Sequence, residues 1–165
     1  MRVREFRESD WAELWPIIRE VARAGETFTY DPAMTSGQGH ATWVWGAPGH
    51  TVVAVDGEQL LGSAKMGPNR DGPGSHVSTA SFVVSAEARG RGVGRQLCEC
   101  ALNWAREAGY AGMQFNAVVE SNHSAVALYQ RLGFDVVGTV PGAFQHPTLG
   151  RVGLHIMYCP LGRRS

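Results

Sequence analysis

The stretch "ARGRGVGRQL", residues 88–97, places three arginines and three glycines within the seven residues Arg89 to Arg95. So much glycine disfavours a regular element, and clustered guanidinium groups repel one another. The flanks are easier to read. "HVSTASFVV", residues 76–84, is β-branched and aromatic and predicts a strand. On the other side, Leu97, Ala101, Leu102, Trp104, Ala105 and Ala108 recur at helical spacing, with Gly109 placed to end the helix. A glycine-rich turn between strand and helix brings bare backbone to the unfilled N–H groups of a helix start, where the helix dipole favours an anion. Gly90, Gly92 and Gly94 leave room for close approach, and Arg89, Arg91 and Arg95 add forked donors that match phosphate. The expectation is a phosphate cradle in which a bound polyanion relieves the self-repulsion. Two common cradles do not fit. A P-loop needs a lysine that this stretch lacks, and a GxGxxG fingerprint counted from Gly90 meets Arg95 at its last place. The competing reading is a solvated basic turn.

Working outward, "VREF" (3–6) predicts a short strand. Ser9 or Asp10, with Glu13, reads as the cap of a helix whose apolar stripe is Leu14, Ile17, Ile18 and Val21, kinked or shortened at Pro16. Residues 25–49 read as loops around a short helix near Ala41 to Trp45. "HTVVAVD" and "EQLLGSAKM" predict a hairpin turning at Asp56-Gly57. "MQFNAVVE" predicts a strand, followed by a helix "HSAVALYQRL" that Ser121 or Asn122 caps and Gly133 stops. "FDVVGTV" and "VGLHIMY" complete the strands. Strands and helices mixed in this order predict an α/β or α+β domain.

Composition sets the bounds. At 165 residues, 44% hydrophobic, the chain reads as one domain over 1–165 with a core of its own. Zero formal net charge supplies no global field for nucleic acid or an anionic membrane. No apolar run is long enough to span a bilayer, and the charged start "MRVREFRESD" is unlike a secretory signal. Cys98, Cys100 and Cys159 are odd in number and contain no CxxC, so neither a disulfide framework nor a metal site is expected. These features predict a cytoplasmic protein.

The residues "RGRGVG", preceded by Val84 and four spacer residues, resemble the acyl-CoA pyrophosphate signature of the GNAT superfamily of N-acetyltransferases, with Arg89, Gly92 and Gly94 at its fixed places. "ESNHSAVALYQRLGF", residues 120–134, is similar to that family's second motif. The resemblance covers about the central third of the chain and breaks the tie in favour of the cradle. It implies a mixed, mostly antiparallel sheet of about six or seven strands flanked by helices on both faces. It implies acetyl-CoA as acyl donor with no metal, and a small-molecule amine as acceptor, an amino acid or analogue being the narrower class. Homodimers are common in that family. Arg89, Gly90, Arg91, Gly92, Val93, Gly94 and Arg95 would hold the pyrophosphate. Phe82, Val83 and Val84 would offer backbone groups to the pantetheine and an N–H to the oxyanion. Asn122 matches a position that bonds the pantetheine arm, and Tyr129 the tyrosine that protonates the departing thiolate. Two other readings stay open: a CoA-binding sensor without turnover, and transfer to peptide or protein amines.

The general base stays unassigned. "HVSTASFVV" carries no carboxylate; His76 is the candidate on that strand and Glu120 ends the next, with Glu26 and Asp31 as rivals. A lysine-like amine costs about 4.6 kcal/mol to deprotonate at pH 7, an α-amine only about 1 kcal/mol. A site without a dedicated carboxylate therefore suits the easier amine. The acceptor is expected against "GETFTYDPAMT", where Phe28 and Tyr30 form apolar walls and Glu26 or Asp31 an ammonium partner, with the last hairpin, "PGAFQHPTLGR", folding over the opposite side and offering His146 or Arg151 to a carboxylate.

Overall fold

The computed structural model describes residues 1–162. Its first half runs β1 (Arg2–Glu5), α1 (Trp11–Ala24), α2 (Ser36–Trp43), β2 (His50–Asp56), β3 (Gln59–Pro68) and β4 (Val77–Val84). The second half runs α3 (Val93–Glu107), β5 (Gly112–Val119), α4 (His123–Arg131), β6 (Asp135–His146) and β7 (Gly150–Pro160). The seven strands form one sheet in the order β1-β2-β3-β4-β5-β7-β6. Every pairing is antiparallel except β4 with β5. This is the mixed, mostly antiparallel sheet that the two motifs imply.

Helices cover both faces, which explains the near-continuous apolar reading of β2 and β3. Along β2, Val52 and Ala54 point to the α3 side, and Val53 and Val55 to the α1 and α2 side. From α3, Val93, Leu97, Cys98, Ala101, Leu102 and Ala105 are buried against the first face. From α1, Leu14 and Ile18 are buried against the second, each contributing about 1.5–3 kcal/mol through the area removed from water. The β2–β3 hairpin turns as the sequence predicts, with Gly57 at φ +60° in the first central position, where a type II′ turn needs glycine.

Three local expectations change. Asp10 occupies the N-cap of α1 but its carboxylate caps nothing there; it takes a two-pronged bond from Arg4 (2.8 and 2.9 Å) and accepts from the Arg7 N–H (2.7 Å). Pro16 does not shorten α1, which continues to Ala24 and ends at Gly25 with φ +63°. The helix α2 starts at Ser36, earlier than the apolar residues suggest, because Thr35 and Gln38 form a reciprocal capping box. "PGAFQHPTLGR" lies in the last hairpin. Most of it extends β6 and opens β7 as a hairpin at the sheet edge, anchored by buried Phe144.

Candidate active site

Among the described residues the parallel pair β4–β5 is the one interruption in an otherwise antiparallel ladder, and it is short. Val77 pairs with Gly112 and Ser78 with Met113, and no pairing follows. β4 continues against β3 through Val84 while β5 turns to β7, with a register shift between Phe115 and Val118. From Thr79 onward, the edge of β4 that faces β5 has no backbone partner there, so the strands open a V whose wall includes Phe82, Val83 and Val84. Gly62 allows β3 to follow β4 closely at this point: a Cβ there would lie 2.5 Å from the Val83 carbonyl.

The glycine stretch stands at the mouth of the V. Gly90 and Gly92 take φ +78° and +77°, a left-handed conformation that side chains disfavour. Gly92 is the N-cap of α3, and no side chain caps that end. The first helical bond is Gln96 N–H to Gly92 O (3.1 Å), so Val93, Gly94 and Arg95 present N–H groups with no carbonyl inside the helix. The arginines are partly neutralised by the protein itself. Arg91 pairs with Asp56 (3.1 Å) and Arg95 with Glu99 (3.0 Å), while Arg89 has no carboxylate partner among the described residues. Self-repulsion is thus relieved before any ligand arrives, and exposed pairs of this kind are weak enough for a phosphate to displace.

Two serines stand at the tips of the open strands. Ser85 directly follows β4 and Ser121 lies just beyond β5, and both hydroxyls are buried without a hydrogen-bond partner among the described residues. Buried orphan hydroxyls cost stability unless a ligand or water completes them. Together with the uncapped helix and the unpaired strand edge, they fit a phosphate-bearing, amide-rich chain lying along the V.

Tyr129 projects from α4 into a ring cluster, with centroids 4.6 Å from Phe115, 6.0 Å from Phe134 and 6.1 Å from Phe82. Burial raises its phenol well above the ordinary range, with a smaller contribution from the Cys98 thiol. It remains a proton donor at any physiological pH. Asn122 sits at the N-cap of α4, but its side chain caps no backbone N–H; its only bond is from Ser124 Oγ at 3.4 Å.

The base candidates do not converge. His76 is exposed at the closed end of the V, about 20 Å of strand from Phe82. Glu120 is half-buried at the open end, its carboxylate lying over Gly153 towards Thr139. Thr139 in turn bonds His155 Nδ1 (2.7 Å). Glu26 is exposed, and Asp31 accepts from the Ala33 N–H (2.8 Å). His146 serves its own turn, accepting from the Thr148 and Leu149 N–H groups (3.2 Å each). Arg151 pairs with Gln145 in the edge hairpin.

Phe28 and Tyr30 pack together. They stack at 4.9 Å, and Phe28 meets buried Trp43 edge-on at 6.1 Å. Behind them lies Lys65, which sequence reading passes over, with its ammonium 4.4 Å from the Trp45 ring centre. The available signal was its singularity: it is the chain's one lysine, set within an apolar strand. Gln114, Asn116 and Asn69 were also missed; their amides bond one another near the splay (2.7–3.3 Å).

Comparison with known proteins agrees with this geometry. The acetyltransferase (GNAT) family profile matches residues 9–134. The N-acetyltransferase aca1 of Schizosaccharomyces pombe is 33% identical over 98 residues, 59% of this chain and 47% of that protein. The chain spans less than half the length of such named relatives. Among solved structures, a GCN5-related N-acetyltransferase from Kribbella flavida is 53% identical and superposes with a TM-score of 0.95 over 97% of both chains. A phosphinothricin acetyltransferase from Sinorhizobium meliloti, in complex with AcCoA, shares the fold (TM-score 0.85, 98% and 88% of the chains) at 23% identity.

Proposed function

The chain belongs to the acetyltransferase (GNAT) family, and from that premise we propose that it moves an acetyl group from acetyl-CoA to the primary amine of a small molecule, by direct attack. We propose further that residues 1–165 work as one N-acetyltransferase domain. The observation that carries this reading is the V itself: an unpaired β4 edge leading to an uncapped helix start, with the phenol ring of half-buried Tyr129 beside Phe82.

Acetyl-CoA supplies an activated thioester; the chain supplies position and protons. The N–H groups of Val93, Gly94 and Arg95 and the guanidinium of Arg89 would hold the pyrophosphate, with Gly90 and Gly92 keeping the approach free of side chains. The backbone of Phe82, Val83 and Val84 would bond the pantetheine amides as a missing strand would, and Asn122, Ser85 and Ser121 offer further polar contacts. An N–H of the β4 edge aimed at the carbonyl oxygen would stabilise developing charge by about 3 kcal/mol. Tyr129 would give its proton to the departing thiolate.

No side chain is placed as general base. Of the candidates on β4 and β5, Glu120 lies at the open end, whereas His76 would need the acceptor at the wrong end of the strand. The acceptor amine would enter from the face of Phe28 and Tyr30. The test is acetyl-CoA-dependent thiol release across amino acids, lysine peptides, N-terminal peptides, polyamines and aminoglycosides. Release with small amines supports the reading. Release confined to peptides would redirect it to protein acceptors, and CoA binding with silence throughout would favour a sensor.

A further inference from the structure

Lys65 is 7% exposed on β3, on the sheet face covered by α1 and α2. Among the described residues no carboxylate pairs with it. Its ammonium donates to the Thr42 carbonyl at the end of α2 (2.8 Å) and lies 4.4, 5.5 and 5.9 Å from the ring centres of Trp45, Trp43 and Tyr30. An ammonium carries three N–H donors, and the ring faces stabilise its charge without accepting ordinary hydrogen bonds. The chain's single lysine is therefore a buried cation with one hydrogen bond and no counter-charge among the described residues. Capping α2 accounts for one donor only.

The location gives this imbalance a direction. Lys65 pairs across the sheet with Ser81, and Gly67 with Thr79, so the aromatic box stands beside the part of β4 that has left β5. Cross-strand partners share a face, and Val83, two residues beyond Ser81, belongs to the same aromatic side of the core. Tyr30, on the loop after α1, and Trp45 are the half-buried members of the box, and Trp43 is the fully buried one. Glu26 and Asp31 on that loop are exposed and do not turn inward to neutralise the lysine.

We propose that Lys65 receives the carboxylate of the acceptor, so that the acceptor is an α-amino acid or a close anionic analogue whose side chain rests on Tyr30 and Trp45. This deepens the acetyl-transfer reading and rests on it. An incoming carboxylate supplies the missing counter-charge and accepts from the remaining donors, which fixes the α-amine near the β4 edge. Burial lowers the free lysine to about 8 from its ordinary 10.5, the state that an anionic ligand relieves.

The experiment uses matched pairs: leucine with 3-methylbutylamine, and methionine with 3-(methylthio)propylamine. For each pair the ratio of kcat/KM, amino acid over amine, is measured in the wild type, Lys65→Met and Lys65→Arg. The ratio should fall about 10- to 100-fold in Lys65→Met and be largely kept in Lys65→Arg. A role confined to capping α2 would lower both members of a pair alike, leave the ratio fixed and overturn the proposal. Wild-type indifference to the carboxylate, with amines still acetylated, would overturn it while leaving acetyl transfer standing. A second readout needs no turnover. With isotope-labelled lysine the protein gives one side-chain NMR signal, which should move on adding leucine plus CoA and stay put with 3-methylbutylamine. That movement without any thiol release would uphold the carboxylate site and sink acetyl transfer; no movement with either ligand sinks the site.

Discussion

Tyr129 of α4 and Phe115 of β5 meet with ring centroids 4.6 Å apart, and this contact fixes the phenol over the strand that has turned away from β4. The hydroxyl has no protein hydrogen bond among the described residues, so its removal should spare the packing. Tyr129→Phe is expected to lower kcat about 100-fold while CoA affinity, measured by calorimetry, holds. Normal turnover by this variant would remove Tyr129 from the mechanism.

Ser85 and Ser121 allow stability and binding to be separated. Each hydroxyl is buried and unpaired in the free chain, so Ser121→Ala should leave the melting temperature unchanged or raise it by about 2–4 °C. CoA affinity should fall in the same variant. A stabilised variant with undiminished affinity would show that the hydroxyl does not face the ligand.

Gly62 sits where β3 closes on β4, and an added Cβ would lie 2.5 Å from the Val83 carbonyl. Gly62→Ala should cost about 1–3 kcal/mol in urea unfolding, because backbone must shift rather than a flexible side-chain tip. It should also weaken catalysis, since the displaced strand carries the β4 edge.

Alkaline stability follows from groups that resist ionisation when folded. The Cys98 thiol rises from 9.0 to about 12 and the Tyr30 phenol from 10.0 to about 12, both through burial. Their contribution is full below pH 9 and is lost as pH climbs towards 12, because the unfolded chain releases those protons first. Lys65 acts in the other direction: its folded value of about 8 lies below the ordinary 10.5, so its deprotonation adds stability between those values. Urea midpoints should therefore hold between about pH 9 and 10, where Lys65 offsets the thiol, and fall above about pH 10.5; in Lys65→Met the fall begins at about pH 9. A pH-independent midpoint up to pH 11 would contradict both.

Arg4 and Asp10 give the acid limb. The hydrogen bond from Arg4 holds the Asp10 carboxyl below its ordinary 3.8, stabilising the fold above that pH and releasing the stability as acid protonates it. Asp10→Asn should cost about 1–3 kcal/mol at pH 7 and flatten the acid limb of a stability-against-pH curve.

Much of the frame was legible because it rests on local chemistry. Glycines at 57, 109 and 133 end elements where positive φ is required, and the apolar spacing of α3 needs no distant partner to be recognised. Capping was harder to read. Asp10 looks like a helix cap, yet Arg4, six residues away and on a neighbouring strand, binds it more strongly than a backbone N–H would.

By itself the sequence determined the order of strands and helices, the place of the glycine- and arginine-rich turn between β4 and α3, and the family to which both motifs point. These are properties of contiguous residues, whose periodicity and turn chemistry act over one or two helical turns. Only the tertiary structure decided that β4 and β5 part after Ser78, that His76 lies at the closed end of their V, and that Tyr30, Trp43 and Trp45 enclose Lys65. Strand pairing and ring packing join residues tens of positions apart, and their burial energies exceed local preference wherever the two conflict.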